Sequence, residues 1–180
     1  GLAIAMIRHQ TALPVTEPAF SKGVAATRWP ARMQLLGRGP LTSLAPDIAE
    51  IWLDGGHNPD AAAMLARHFS TRLDSLGKIH LILGMLANKD ARAFLDCLAP
   101  VTASVTAVPI PGHEHHAPGE LATLAKSVGI AVTGIAPDVS TALMAANQRV
   151  KTGHPGCRAA ILGSLYLAGI VLRENGQIPD

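Results

Sequence analysis

The chain has 180 residues, enough for one α/β domain with a small appendage. Hydrophobic residues make up 48% of the chain and aromatic residues only 3%, which predicts a core of Ala, Leu, Ile and Val. A formal charge of +2 without a basic run argues against nucleic-acid binding. The absence of any apolar run near the roughly 20 residues of a membrane span argues against a membrane partner.

The first predicted elements are two helices, at residues 2–10 and 17–26. A break at residues 28–32 separates them from a short strand at 33–36, which a loop at 37–47 follows. The chain does not begin with Met and opens inside an apolar helical pattern. We therefore expect it to be a piece of a longer protein.

From residue 50 onward, predicted strands and helices alternate. The predicted strands are 50–53, 79–83, 103–108, 130–133 and 158–162. The predicted helices are 59–76, 90–98, 118–128, 138–150 and 165–174. This alternation favours right-handed crossovers. It predicts a Rossmann-like three-layer α/β domain, with about six mainly parallel strands and helices on both faces.

Two isolated cysteines, Cys97 and Cys157, have no His or Cys at a metal-ligand spacing. We interpret both as ordinary buried thiols. A chain of this kind, without a signal peptide, is typical of a reducing cytoplasm.

Polar residues follow several predicted strands, and ligands bind at the carboxyl ends of strands in sheets of this type. Asp54 ends one strand, His57 lies in the glycine turn after it, and Asn58 and Pro59 are suited to begin the next helix. We expect the two glycines to adopt backbone angles that other residues avoid. Asp54 can bind ribose hydroxyls or a cation, and His57 can orient a carboxylate or phosphate. Alternatively, Asp54 only caps the turn and His57 fills a corner.

Three other polar groups have a functional and a structural interpretation. Ser164 can present its hydroxyl to an anion or serve only as a helix N-cap. Lys89 can neutralise an anion beside Asp90, but simple capping of the helix is favoured for this segment. Arg32 can bind phosphate or stack on a base, although a surface ion pair is favoured from the residues alone.

The run His113–His116 contains three histidines and Glu114, a composition that suggests metal binding. However, prolines surround it and no further ligand stands at a diagnostic spacing. We interpret the run as a flexible, solvated loop and expect no metal site.

Four motifs together resemble the folylpolyglutamate synthase/dihydrofolate synthase family, a branch of the Mur ligases. They are Trp29–Gln34, Leu53–Pro59, Leu83–Asp90 and Gly163–Tyr166. The resemblance covers the carboxyl-terminal third of such an enzyme. It implies that residues 29–180 form the carboxyl-terminal, glutamate-ligase domain. Residues 1–28 would be the tail of the missing central ATPase domain and the linker.

The resemblance also implies a reaction. In this family ATP converts a folate or dihydropteroate carboxylate into an acyl phosphate, which the amine of L-glutamate attacks. Arg32 and Asp54 correspond to residues that contact ATP, His57 to one that places glutamate and supports turnover, and Ser164 to one linked to glutamate binding. The ligands of Mg²⁺ are expected in the same missing ATPase domain, which lies amino-terminal to this one and would be its partner. The chain alone is therefore expected to be inactive.

The chain departs from the family pattern at several positions. Gly55–Gly56 replaces a commoner Gly-Ala or Val-Ala, and Asn88 stands where a charged residue is frequent. The histidine-rich run replaces a segment that often carries an arginine, so no role is transferred to it. Two rival hypotheses are a peptidoglycan Mur ligase domain, which the Gly163–Tyr166 motif argues against, and a non-catalytic nucleotide-binding or interaction module.

Overall fold

A computed structural model describes residues 2–27, 29–153 and 156–178. The chain divides into two compact units, residues 1–30 and residues 31–180. Arg28, which opens the predicted break, lies outside the described residues.

The first unit consists of two helices, and both predictions are confirmed. Helix α1 spans Leu2–His9 and helix α2 spans Glu17–Ala26. The hydroxyl of Thr16 accepts a hydrogen bond from the Ala19 amide and begins α2. An ion pair of 3.0 Å joins Arg8 to Glu17. Helix α2 buries none of its residues, so it contributes little apolar burial within this unit.

The second unit contains a six-stranded sheet, as predicted. Its strands are β1 (Gln34–Leu35), β2 (Glu50–Asp54), β3 (Ile79–Leu83), β4 (Thr102–Ala107), β5 (Val132–Ile135) and β6 (Arg158–Leu162). Their order is β1-β2-β6-β3-β4-β5, and every pair is parallel except β1 with β2. The helices are α3 (Pro59–Ser70), α4 (Leu73–Leu76), α5 (Ala91–Leu98), α6 (Pro118–Ser127), α7 (Val139–Lys151) and α8 (Leu165–Glu174). In the described ranges, no helix has the length and apolar character needed to cross a membrane.

Helices cover both faces of the sheet because successive strand residues point to opposite sides. In β6, Ile161 packs into one core cluster with residues of α7 and α8. Its neighbour Leu162 packs into the other cluster, with residues of α3, α5 and α6. The predicted three-layer arrangement is therefore confirmed.

The prediction of one helix at 59–76 is wrong in one respect, because the structure has two helices there, α3 and α4. The hydroxyls of Ser70 and Thr71 donate to the carbonyls of Arg67 and His68, which competes with continuation of the helix. The chain then begins the short helix α4. The predicted strand at 130–133 is also displaced, since the observed strand is β5.

The two cysteines are half-buried rather than fully buried, which corrects the interpretation from sequence. Cys157 lies just before β6, and its thiol is 3.6 Å from the carbonyl oxygen of Leu76.

The cap of α7 gives a first testable prediction. A carboxylate oxygen of Asp138 accepts the Thr141 amide at 2.7 Å, and bonds from Thr141 hold the pKa of the Asp138 carboxyl below its ordinary value. Asp138→Ala should lower the free energy of unfolding by about 1 kcal/mol at pH 7. Because folding lowers this pKa, the stabilisation is complete above the unfolded pKa and is lost as pH falls through the folded one.

Asp138→Asn is the matched control, because asparagine caps a helix as well as aspartate does. Urea denaturation at pH 7 and at pH 3 should show that Asp138→Asn retains the neutral-pH stability and loses part of the acid dependence. Equal stability of the alanine variant and the original chain at pH 7 would contradict the capping role.

Candidate functional site

The carboxyl ends of four strands lie side by side at one edge of the sheet. Leu162 at the end of β6 pairs with Asp54 on one side and with Leu83 on the other. Leu83 in turn pairs with Ala107 at the end of β4. The ends of these strands and the segments that follow them carry the polar residues selected from the sequence, except Arg32, which precedes β1. We call this edge the carboxyl edge.

Asp54 is buried and bonded to the chain itself. Its Oδ1 accepts the amide of Gly56 at 2.6 Å, and its Oδ2 accepts the amide of Met33 at 2.7 Å. Only 7% of the residue is exposed. The first bond is the turn cap that the capping interpretation describes. The second bond has a further role, because it attaches the segment before β1 to the end of β2.

That second bond fixes the segment that carries Arg32. Ala31 and Met33 have φ values of +54° and +42°, a left-handed conformation that is uncommon for residues other than glycine. The Ala31 carbonyl accepts the Gly55 amide at 2.9 Å, and the Ala31 amide donates to the Gln34 side chain. Arg32 is therefore attached to the carboxyl edge through both of its neighbours. Strained backbone of this kind is a recognised feature of ligand-binding segments.

The guanidinium of Arg32 is exposed. It forms no ion pair or hydrogen bond with another described residue, so the surface ion pair favoured from sequence is not seen within residues 2–27, 29–153 and 156–178. An exposed, unpaired guanidinium offers planar donors that suit phosphate or carboxylate oxygens.

The glycine turn after Asp54 also differs from its prediction. Neither Gly55 nor Gly56 has a positive φ. Space is the constraint instead: a Cβ on Gly55 would lie 2.2 Å from a methyl carbon of Leu165, and one on Gly56 would lie 2.9 Å from the Asp54 carboxylate. Gly55 therefore lets the end of β2 pack against the start of α8, and Gly56 leaves room for the Asp54 carboxylate.

His57 is half-buried at the turn, and its Nδ1 is 2.9 Å from the Gly55 carbonyl oxygen. A carbonyl oxygen can only accept, so Nδ1 carries the hydrogen. In the neutral ring, Nε2 is then the nitrogen that can accept a hydrogen bond or a proton. Immediately after His57, the predicted start of α3 is confirmed, with the Asn58 side chain capping the Ala61 amide at 2.8 Å and Pro59 in the first turn.

Ser164 is 3% exposed and caps α8. Its Oγ accepts the amides of Tyr166 at 3.1 Å and Leu167 at 3.5 Å. The N-cap interpretation is confirmed, and the hydroxyl hydrogen is still able to donate. Beside it, an open cavity of about 520 Å³ lies along α8, with Leu165, Tyr166 and Arg173 among its lining residues.

The histidine-rich run is not the flexible loop predicted from sequence. Its backbone is bonded to the segment after β3: the Ala87 amide donates to the Glu114 carbonyl, and the His116 amide donates to the Met85 carbonyl. The ring of His113 stacks on Tyr166 with centroids 3.7 Å apart. Neighbouring Asp90 caps α5 as predicted, accepting the Ala93 amide at 2.9 Å. In the described part of the chain, no group of three His, Cys, Asp or Glu side chains has metal-binding geometry.

The structure thus brings Arg32, Asp54, His57 and Ser164 to the carboxyl edge, but exposes them unequally. Arg32 and His57 are open to a ligand, whereas Asp54 and Ser164 are buried supports. Sequence reasoning missed the backbone of Ala31 and Met33, which positions Arg32. No residue type marks such a contact, because any residue can supply an amide or a carbonyl.

The chain is similar to known proteins along most of its length. The family model described as "Dihydrofolate synthetase, C-terminal domain" matches residues 40–174. A folylpolyglutamate synthase of Lacticaseibacillus casei is 37% identical over 105 residues, which cover 57% of this chain and 22% of that protein.

Solved structures show the same fold. A folylpolyglutamate synthase of Mycobacterium tuberculosis, complexed with ADP and AMPPCP, has a TM-score of 0.78 at 23% identity, covering 92% of this chain and 36% of the solved one. A bifunctional folylpolyglutamate synthase/dihydrofolate synthase of Yersinia pestis, complexed with AMPPNP and manganese, has a TM-score of 0.72 at 24% identity. That match covers 95% of this chain and 37% of the solved one. The chain therefore spans little more than a third of these structures, and it belongs to the family of dihydrofolate synthetase carboxyl-terminal domains.

Proposed function

We propose that residues 29–180 are the carboxyl-terminal domain of an ATP-dependent folylpolyglutamate/dihydrofolate synthase, and that residues 1–28 end its central ATPase domain and form the linker. The enzyme joins L-glutamate to the carboxylate of a folate or dihydropteroate. The observation that carries the proposal is the convergence of Arg32, Asp54, His57 and Ser164 on one edge, in a chain of this family.

On the β2 side of the edge, Arg32 is assigned to the nucleotide. Its exposed guanidinium, attached at both neighbours, fits the phosphate oxygens of ATP. Asp54 supports this contact by fixing the Met33 amide. When bound, ATP supplies the phosphoryl group that turns the substrate carboxylate into an acyl phosphate.

His57 and Ser164 are assigned to L-glutamate. The Nε2 of neutral His57 can accept a hydrogen bond or proton from the glutamate amine, whose attack forms the amide bond as phosphate leaves. The Ser164 hydroxyl can donate to a glutamate carboxylate while its oxygen caps α8. A bifunctional folylpolyglutamate synthase/dihydrofolate synthase has been solved with manganese, AMPPNP and L-glutamate bound, which supports this class of ligands.

The remaining parts of the machinery are assigned to the amino-terminal ATPase domain. The described residues include no acidic cluster suited to a divalent cation, so the proposal places the ligands of Mg²⁺ in that domain. An acyl phosphate must be kept from water, and closure of two domains over the carboxyl edge would provide that protection.

The proposal is tested by assaying phosphate release from ATP by the full-length protein with L-glutamate and either pteroate, folate or a UDP-muramoyl acceptor. We expect release with a pteridine acceptor and none with the UDP-muramoyl acceptor. Residues 1–180 alone should release none. Ligation by residues 1–180 alone, or preference for the UDP-muramoyl acceptor, would overturn the proposal. ATP binding without ligation by the full-length protein would favour a nucleotide-binding module.

Arg32→Ala in the full-length enzyme should raise the KM for ATP by about 10- to 100-fold, since one or two charge-assisted hydrogen bonds to phosphate are lost. Arg38→Ala is the matched control, because Arg38 is also exposed but lies beyond β1. Steady-state kinetics at varied ATP concentration provide the measurement. Equal KM values for the two variants would contradict the assignment of Arg32.

A further inference from the structure

Left-handed backbone lies on both sides of Arg32. Ala31 and Met33 have φ values of +54° and +42°, and among the described residues no other non-glycine residue has a positive φ. This conformation is unfavourable for residues with a Cβ, because the Cβ comes too close to the following carbonyl oxygen. It persists only where surrounding contacts hold it. Residues 31–33 therefore need specific partners.

Three hydrogen bonds hold this segment. The Met33 amide donates to the Asp54 carboxylate at 2.7 Å, and the Ala31 carbonyl accepts the Gly55 amide at 2.9 Å. Both of these partners lie at the end of β2 or directly after it. The third bond comes from the opposite direction: the Ala31 amide donates to Oε1 of Gln34, the first residue of β1, at 2.9 Å.

The Gln34 bond completes the fixation of Ala31, which is buried. Its carbonyl is held by Gly55 and its amide only by the Gln34 side chain. The backbone of Gln34 is anchored in turn, because Gln34 pairs with Leu53 in the sheet. Removal of Oε1 would leave a buried amide without its acceptor, which favours rotation of the peptide groups that lead into Arg32.

We propose that Gln34 is a positioning residue, whose side-chain oxygen holds Ala31 in the left-handed conformation and thereby presents Arg32 to its ligand. Asp54 performs the same task from the other side of Arg32, through the Met33 amide. The side chain of Gln34 is half-buried, so it acts from behind the segment rather than as a second exposed ligand group.

A neutral acceptor suits this position. The guanidinium of Arg32 is exposed and forms no ion pair with another described residue. The carboxamide of Gln34 supplies an acceptor oxygen without a negative charge. A carboxylate two positions from Arg32 would add a negative charge that competes with an anionic ligand for the guanidinium.

The identity of the ligand rests on the proposed function, in which Arg32 contacts the phosphate oxygens of ATP. A guanidinium held in its binding position loses less freedom when the ligand arrives. If the segment could adopt other conformations, the apparent affinity would fall by the fraction of molecules in the competent one. Loss of the Gln34 oxygen should therefore weaken ATP binding and leave the attack of the L-glutamate amine unaffected.

Hydrogen exchange of residues 1–180 tests the positioning role without any substrate. Methionine has nearly the length of glutamine but no acceptor oxygen, so Gln34→Met should lower the protection of the Gly55 amide by about 3- to 10-fold through release of the Ala31 carbonyl. Gln34→Glu retains an acceptor oxygen and should keep the protection. Gln148→Met makes the same change at an exposed position of α7 and should also keep it. Unchanged protection in Gln34→Met, or equal losses in Gln34→Met and Gln34→Glu, would overturn the proposal.

Kinetics of the full-length enzyme test whether Gln34 acts through Arg32. Gln34→Met should raise the KM for ATP by about 3- to 10-fold, with kcat and the KM for L-glutamate within about twofold of the original. General loss of folded enzyme would instead lower kcat. In an Arg32→Ala background, Gln34→Met should change the KM for ATP by less than about twofold, because the residue through which it acts is gone.

An equal increase in the KM for ATP with and without Arg32 would overturn the positioning role. The exchange results do not depend on which reaction the full-length protein performs. Failure of the proposed function would therefore appear as absent ATP-dependent ligation with the exchange pattern intact, whereas failure of this inference would appear in the exchange pattern itself.

Discussion

Gly163→Ala is expected to destabilise the chain by about 2–5 kcal/mol, through backbone strain and overpacking together. Gly163 has φ +106°, in the region that favours glycine. A Cβ there would lie 2.5 Å from the Gly84 carbonyl oxygen and 2.7 Å from Met85 Cγ. These atoms belong to the neighbouring segment after β3, so the ends of β6 and β3 would have to separate. Urea denaturation followed by circular dichroism measures the loss.

Gly169→Ala is the matched control, because it adds the same methyl group to the same part of the chain. Gly169 lies within α8, and a Cβ there would have no neighbour within 4 Å. Alanine is a better helix former than glycine, so this variant should be more stable by about 0.5–1 kcal/mol. If the two variants unfold at the same urea concentration, the close approach of β6 and β3 at the carboxyl edge is not as described.

Asp54→Ala is expected to cost about 2–4 kcal/mol of stability, since it leaves two amide donors without their acceptor in a buried place. The donors are the amides of Met33 and Gly56, at 2.7 and 2.6 Å from the carboxylate. Loss of the first bond should also release the Arg32 segment. Hydrogen exchange at the Met33 amide should therefore increase more than exchange in the core strands.

The matched control for Asp54→Ala is Asp60→Ala, which removes a carboxylate six residues further along the chain. Asp60 is exposed in the first turn of α3, where a carboxylate contributes only a few tenths of a kcal/mol by favourable interaction with the helix dipole. A stability loss in Asp54→Ala no larger than that in Asp60→Ala would show that Asp54 does not hold the edge together.

Much of the fold could be predicted because its signals are local. Residue type predicts Asn58 and Asp90 as helix caps and makes capping one of two interpretations of Ser164, and each of the three accepts an amide two or three residues further on. Strands β3 and β6 were predicted to the residue, because each is a mainly apolar run of five residues, with His80 and Arg158 as the exceptions, between clear turn signals. The carboxyl edge followed from the general behaviour of parallel sheets.

The errors arose where structure depends on distant partners. The Asp54 carboxylate meets an amide 21 residues away, and the His116 ring meets a carbonyl 27 residues away. The partners are the backbone amide of Met33 and the backbone carbonyl of Lys89, and residue type does not mark either of them. The two glycines after β2 illustrate a related difficulty. Their residue type predicts unusual φ values, but the structure shows a need for space, beside Leu165 for Gly55 and beside the Asp54 carboxylate for Gly56. Such spacing is visible only when both elements are in place.

The most direct test of the carboxyl edge as the reactive edge is His57→Ala in the full-length enzyme. Its ring is held through Nδ1 by the Gly55 carbonyl, so Nε2 is the nitrogen that the proposal assigns to the L-glutamate amine. We expect kcat for glutamate-dependent phosphate release to fall by about 10²- to 10⁴-fold, the range for loss of a general acid or base, with little change in the KM for ATP. His68→Ala, near the far end of α3, is the control and should keep its kcat within about twofold of the original. An unchanged kcat in His57→Ala would contradict the account.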